Sequence, residues 1–323
     1  MTLATTLTAI SAAFIASAIL GVFILPILRR MKFGQSIREE GPESHQKKAG
    51  TPTMGGLIFI GSIIISTLVL SSLYDVMTTQ TIVLLIVFVG FGIIGFLDDF
   101  IIVVLKRNLG LTSLQKLAGQ IIVAILAFFL LKLGPFDTTV KLPFTDFTIE
   151  LGVFYVAFLL FWLVGFSNAV NLSDGLDGLV AGTSSIAFGA FGVHALLFGQ
   201  LDIAMFAFVV TGAMLGFLLF NVKPAKVFMG DTGSLALGGA LAMISVLIKQ
   251  EFLLLVIGIV YVVETLSVII QVISFKTTGK RVFKMSPIHH HFELSGWSEW
   301  KVVLVFWGVA FLAAIVPVML EVM

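Results

Sequence analysis

Apolar runs separated by short polar or glycine-containing breaks dominate the chain, near residues 5–28, 54–73, 80–104, 114–133, 151–170, 179–198, 203–220, 234–248, 252–275 and 302–320. A helix that crosses a bilayer needs about 20 such residues. The pattern therefore predicts an all-α, polytopic membrane protein with about ten spans. The remaining loops are too short for a large soluble domain, so residues 1–323 read as one transmembrane domain. Between Gly134 and Glu150 the pattern changes: Pro135 and Pro143 accompany an alternating stretch from Val140 to Phe147, which predicts a small surface β-hairpin.

Composition agrees with this reading. The 323 residues are 59% hydrophobic and 11% charged, with mean hydropathy +1.12, too little polar surface for a water-facing fold. The absence of cysteine excludes disulfides, thiolate metal sites and cysteine nucleophiles, and a net charge of +1 gives no reason to expect a nucleic-acid partner. Charge position says more. With the N-terminus outside, span parity puts Arg29, Arg30, Lys32, Arg38, Lys47, Lys48, Lys106, Arg107, Lys116, Lys223, Lys226, Lys276, Lys280, Arg281, Lys284 and Lys301 on inner loops. That is sixteen of the nineteen basic residues, as the positive-inside rule expects, and both termini then lie outside.

The unusual polar groups follow odd-numbered spans and so meet one surface. Asp98 and Asp99 lie within an apolar run, where a carboxylate costs up to about 2.5–3.5 kcal/mol at a span's centre; they are candidates for a site or for a structural ion pair. Asp231, flanked by Gly230 and Thr232-Gly233, opens the eighth span, and Thr232 or Ser234 is expected to cap it, with helix-start amides free for an anion; an ordinary turn is the other reading. His289, His290 and His291 suit phosphate contact, a metal or a solvated basic loop. Gly90, Gly92 and Gly95 match a dinucleotide fingerprint but lie inside a span, which points to close helix packing. Glu264 is a further intramembrane acid with no partner evident in the sequence. Carboxylates beside basic residues and glycine-rich turns suggest Mg²⁺ bridging phosphates at a membrane surface. The competing class is a secondary transporter whose intramembrane acids bind protons or cations.

Five stretches carry a family resemblance: Gly50 to Gly56, Gly95 to Asp99, Asn168 to Gly178, Pro224 to Ser234 and Ser286 to Glu293. Together they resemble the phospho-N-acetylmuramoyl-pentapeptide transferases, within the wider polyprenyl-phosphate sugar-1-phosphate transferases. The Ser-Pro-Ile-His-His-His-Phe-Glu stretch is the most specific of them. The resemblance implies transfer of phospho-MurNAc-pentapeptide from UDP-MurNAc-pentapeptide to undecaprenyl phosphate, forming lipid I and UMP with Mg²⁺, at the cytoplasmic face of a bacterial plasma membrane. A related UDP-GlcNAc transferase is the near alternative. By the same resemblance Asp98, Asp99 and Asp231 are catalytic or metal-binding, Asp231 above all, and His289, His290 and His291 serve the phosphates. Lys48, Thr53, Asn168, Asn171, Asp174, Asp177, Asn221 and Phe228 fall to substrate binding. Where relatives often carry Tyr and a nearby Lys after the paired acids, this chain has Phe100, Ile101 and Ile102, so Lys116 takes the role of phosphate anchor. The expected partners are the two substrates and the bilayer, with a homodimer as a further option.

Overall fold

The computed structural model describes residues 1–31, 50–105, 109–145 and 147–322. Among the described residues, ten helices are long and apolar enough to cross a membrane. They are α1 (Leu3–Arg30), α2 (Gly56–Leu73), α3 (Thr79–Val103), α4 (Ser113–Lys132), α5 (Tyr155–Ser173, preceded by a 3₁₀ turn at Gly152–Phe154), α6 (Leu179–Leu197), α7 (Leu201–Asn221), α8 (Gly230–Leu247), α10 (Ile259–Thr278) and α12 (Glu299–Val322). Two short helices, α9 (Leu253–Ile257) and α11 (Ile288–Glu293), complete the helical set among the described residues. A helix satisfies its own backbone hydrogen bonds, which is why spans of this kind are stable where no water reaches.

Helix starts carry local signals. Thr78 accepts the N–H groups of Gln80 and Thr81 at the head of α3, and Thr112 with Gln115 forms a capping box on α4. Packing follows side-chain size. Helix α8, rich in glycine and alanine, is buried at every position after Asp231 and forms the axis of the bundle. It packs most extensively on α3 and also on α5, while α1 lies along α7 and α6 along α7 and α12. Small residues let backbones approach where no hydrophobic force separates helix from lipid. The glycines of α3 behave as expected: a Cβ on Gly90 would meet Val123 of α4, and one on Gly92 would meet Ile60 of α2.

Two expected boundaries move. The ninth span does not begin near residue 252: Leu253–Ile257 forms a separate helical turn, broken at Gly258, and the span runs Ile259–Thr278. The eighth begins at Gly230 rather than near residue 234, because its first turn is held from outside the helix.

The predicted hairpin is present as β1 (Thr139–Lys141) and β2 (Thr148–Glu150), antiparallel, with Val140 opposite Ile149. Lys249, just past the end of α8, fastens it. Its ammonium donates to the Asp137 and Thr139 carbonyls and lies 4.2 Å from the centre of the Phe136 ring. This clamp and the Asp98–Asp99 region therefore sit at opposite ends of the α8 axis.

Candidate active site

The site grows from the crossing of α3 and α8. Gly95 lets the helices touch: a Cβ there would lie 2.0 Å from the Asp231 carbonyl oxygen. One turn on, Asp99 is buried and its carboxylate caps α8 from the neighbouring helix. It accepts the Asp231 N–H (3.3 Å), the Thr232 N–H (3.0 Å) and the Thr232 hydroxyl (2.6 Å). The anion at this helix start is thus Asp99 itself. The expectation that Thr232 or Ser234 caps the helix fails: Thr232 is a donor to Asp99, and Ser234 donates back to the Gly230 carbonyl. Gly230, at φ +72°, has no room for a side chain between Asp99 and the Thr53 hydroxyl.

Asp98 points elsewhere, as successive helical positions must. Its Oδ1 accepts the Leu111 N–H at 2.7 Å, and its Oδ2 lies 3.0 Å from the Lys116 ammonium. The same ammonium is 2.6 Å from Asp231 Oδ2. Lys116, in the first turn of α4, thus bridges the two carboxylates. The structure brings together Asp98, Asp99, Asp231, Thr53 and Lys116. The basic residues Lys106 and Arg107, and the candidate Lys48, lie outside the described residues.

Asp174, at the end of α5, is the fourth acid of the group. Burial, reinforced by the charges of Asp231, Asp99 and Asp177, pushes its carboxyl up to about 7, against a hydrogen bond from the Gly230 backbone.

The remaining candidates hold the loops that frame the cluster. Residues 52–56 run beside 228–229: the Phe228 N–H donates to the Pro52 carbonyl, and the Gly55 and Gly56 N–H groups donate to the carbonyls of Phe228 and Met229. The Phe228 ring is half-buried. Asp177 accepts the Ala225 N–H, and Asn221 accepts the Gly178 N–H while donating to the Val227 carbonyl, so both buried side chains tie the α5–α6 turn to the α7–α8 loop. Asn168 donates to Gln120 on α4, and Asn171 lies half-buried in the last turn of α5. Sequence reasoning missed Glu299, a buried acid that accepts the Asp177 N–H and pairs with Lys223 at 2.8 Å.

The three histidines diverge. His289 is fully buried, with Nδ1 3.0 Å from Oε1 of Glu264. His290 contacts Glu293 at 2.9 Å. His291 accepts the Lys284 N–H on Nδ1, which places the proton of its neutral ring on Nε2. Glu264, unpaired in the sequence, thereby gains a partner 25 residues away.

Among the described residues, no set of three or more His, Asp or Glu side chains is spaced to hold a metal ion by itself. Asp98 and Asp231, whose Oδ2 atoms converge on one cation, still offer the hard oxygen donors that Mg²⁺ takes, and that ion commonly completes its shell with water and substrate phosphates. Asp99 spends both oxygens on α8. The donor set fits an ion shared with a substrate rather than caged by protein.

Comparison with known proteins gives the family. Residues 81–249 match the model of glycosyl transferase family 4, and residues 48–60 match phospho-N-acetylmuramoyl-pentapeptide-transferase signature 1. Over 310 residues, 96% of each chain, the sequence is 61% identical to the phospho-N-acetylmuramoyl-pentapeptide-transferase of Anoxybacillus flavithermus. The chain belongs to the phospho-N-acetylmuramoyl-pentapeptide-transferase family. Members from Geobacillus sp. (strain WCH70) and Bacillus subtilis (strain 168) are 60% and 58% identical over 97% and 96% of this chain and 97% and 95% of their own. Membership sets aside the transporter reading and favours the muramoyl branch over a UDP-GlcNAc transferase.

Proposed function

We propose that this membrane enzyme transfers phospho-MurNAc-pentapeptide from its UDP carrier to undecaprenyl phosphate, producing lipid I and UMP for peptidoglycan synthesis. The observation that carries the reading is the Lys116 ammonium set between Asp98 and Asp231, beside the capped start of α8, in a chain of this family. The basic residues, sixteen of nineteen on one set of loops by span parity, support placing this end of the bundle at the cytoplasmic face, with both termini outside. A soluble nucleotide donor and a lipid acceptor meet there.

One phosphoanhydride is exchanged for another, so the protein's work is positioning and charge neutralisation. A bound Mg²⁺ would be held by Asp231 and Asp98 together with the donor's phosphates, and supplies charge neutralisation of the diphosphate. Lys116 contributes a fixed positive charge to the same oxygens. Asp99 keeps the backbone of Asp231 in place. The acceptor phosphate, with a second pKa of about 6, is mostly dianionic at neutral pH and needs little help from a base. Asp98, anchored through Leu111, holds the Lys116 ammonium that orients it for in-line attack on the β-phosphorus of the donor, and UMP leaves. A nucleophilic Asp98 is the two-step alternative.

The test is UMP release by detergent-purified protein given UDP-MurNAc-pentapeptide, undecaprenyl phosphate and Mg²⁺. No UMP from folded protein refutes the reading, and equal turnover of UDP-GlcNAc refutes the muramoyl assignment. Exchange of labelled UMP into the donor without lipid would favour the two-step route.

A further inference from the structure

The mechanism above leaves unused the pair formed by Glu264 and His289. Both side chains are fully buried. The carboxylate engages Nδ1, which orients the imidazole and commits one ring nitrogen to the protein. The other nitrogen, Nε2, has no hydrogen-bond partner among the described residues. A buried polar atom without a partner is costly, so the fold retains it at a loss unless something supplies the bond.

The direction of Nε2 indicates what supplies it. The ring edge lies against the turn that links α5 to α6: a Cβ added to Gly175 would stand 2.2 Å from Nε2. Gly175 follows Asp174, whose carboxyl feels the charges of Asp231 and Asp99 and faces the Gly230 N–H. Nε2 is therefore one residue removed from the acid cluster, under a piece of backbone that carries no side chain. The His290 ring lies beside the His289 ring, with centroids 4.1 Å apart, and is engaged by Glu293. Glu264 reaches in from α10, the opposite side of the ring from the turn.

We infer that Glu264 is a positioning residue: it holds His289 so that Nε2 addresses a phosphate oxygen of a nucleoside diphosphate seated against the Asp174–Gly175 turn. In its doubly protonated form, balanced by the Glu264 carboxylate, the imidazole offers Nε2–H to an oxygen that lacks a donor. The inference deepens the proposed function and rests on its assignment of a nucleotide donor to this end of the bundle. Gly175 is then required because any side chain would occupy the approach to Nε2.

The experiment reads binding rather than turnover, so its failure is distinguishable from failure of the transferase assay. Calorimetry on the purified full-length protein compares UDP with uridine for the wild type, Glu264→Gln, His289→Gln and the double variant. Glu264→Gln is expected to weaken UDP about 10-fold or more while leaving uridine within about threefold, the lower end of the 10–100-fold losses seen when the carboxylate behind a metal-binding histidine is removed. The double variant is expected to bind UDP no more weakly than His289→Gln alone, because Glu264 acts through the ring. Equal weakening of UDP and uridine would show that the pair only props the turn, and would overturn the inference. So would additive losses in the double variant, an unchanged preference for UDP in Glu264→Gln, or a wild type that binds no UDP.

Discussion

Asp99 is assigned to anchoring α8, and its replacement separates anchoring from catalysis. Asp99→Asn leaves one acceptor oxygen where the carboxylate received the Asp231 N–H, the Thr232 N–H and the Thr232 hydroxyl. The new amide N–H₂ cannot accept, so at least one buried donor at the start of α8 loses its partner. Hydrogen bonds to a charged group contribute about 1.5–3 kcal/mol and a buried orphan donor costs about 1–3 kcal/mol; because the two overlap, the loss is about 2–4 kcal/mol rather than their sum. At about 2 °C per kcal/mol for a chain of this size, the apparent melting temperature should fall by about 4–8 °C. Asp231→Asn removes a partly exposed contact with Lys116 and relieves repulsion from neighbouring acids, so it should abolish UMP release with a shift below about 2 °C. Both variants are inactive under either assignment of Asp99; the difference lies in stability. Thermal unfolding in one detergent, with both proteins purified alongside wild type, decides it. An Asp99→Asn protein that melts with the wild type would refute the anchoring role.

Lys116→Ala should reduce kcat by about 100-fold or more and raise the Mg²⁺ concentration needed for half-maximal rate no more than severalfold, since the lysine neutralises phosphate rather than binding metal; a Mg²⁺ titration checks this. For Asp174 the folded carboxyl, at about 7, lies above its unfolded value near 3.9, so the native state holds a proton that the unfolded chain has released. Its contribution to stability is present below about pH 4 and is lost as pH rises through about 7, so Asp174→Asn should gain melting temperature over wild type at pH 8 and lose that advantage at pH 5. A pH-independent difference would contradict this. Lys249→Met, at the far end of the bundle, should release the hairpin to limited proteolysis while UMP release stays within about twofold of wild type.

Most of the architecture was legible because a bilayer demands a length of apolar chain that few other structures use, and the spans appear where those runs lie. The exceptions have non-local causes. The turn from Gly230 to Ser234 announces a helix start but neither its first residue nor its cap, because the cap comes from Asp99, 132 residues away in sequence. Gly258 breaks an apolar run that reads as continuous, since a single glycine in such a run is weak evidence for a stop. The site was legible as a set of residues on one surface, but not in its wiring. That Asp98 faces Lys116 while Asp99 faces α8 follows from the rotation of α3 against its neighbours, and the sequence supplies only the 100° between them. Asp177 and Asn221 look like ligand-reading side chains in the sequence; their bonds to loop backbones became visible only in three dimensions. The partner of Glu264 was hidden for the same reason.

Helix α4 carries the bridging lysine and is among the least enclosed spans, with only 22% of its most apolar stretch buried, whereas the acids it meets ride on α3 and the central α8. Lipids thus touch the element that delivers the cation more than the elements that hold the anions. A thicker or thinner membrane changes the tilt of an outlying helix more readily than that of two helices stitched together by hydrogen bonds. Reconstitution in acyl chains of graded length should therefore tune turnover through a single ammonium group, which makes the surrounding membrane a working part of the catalyst.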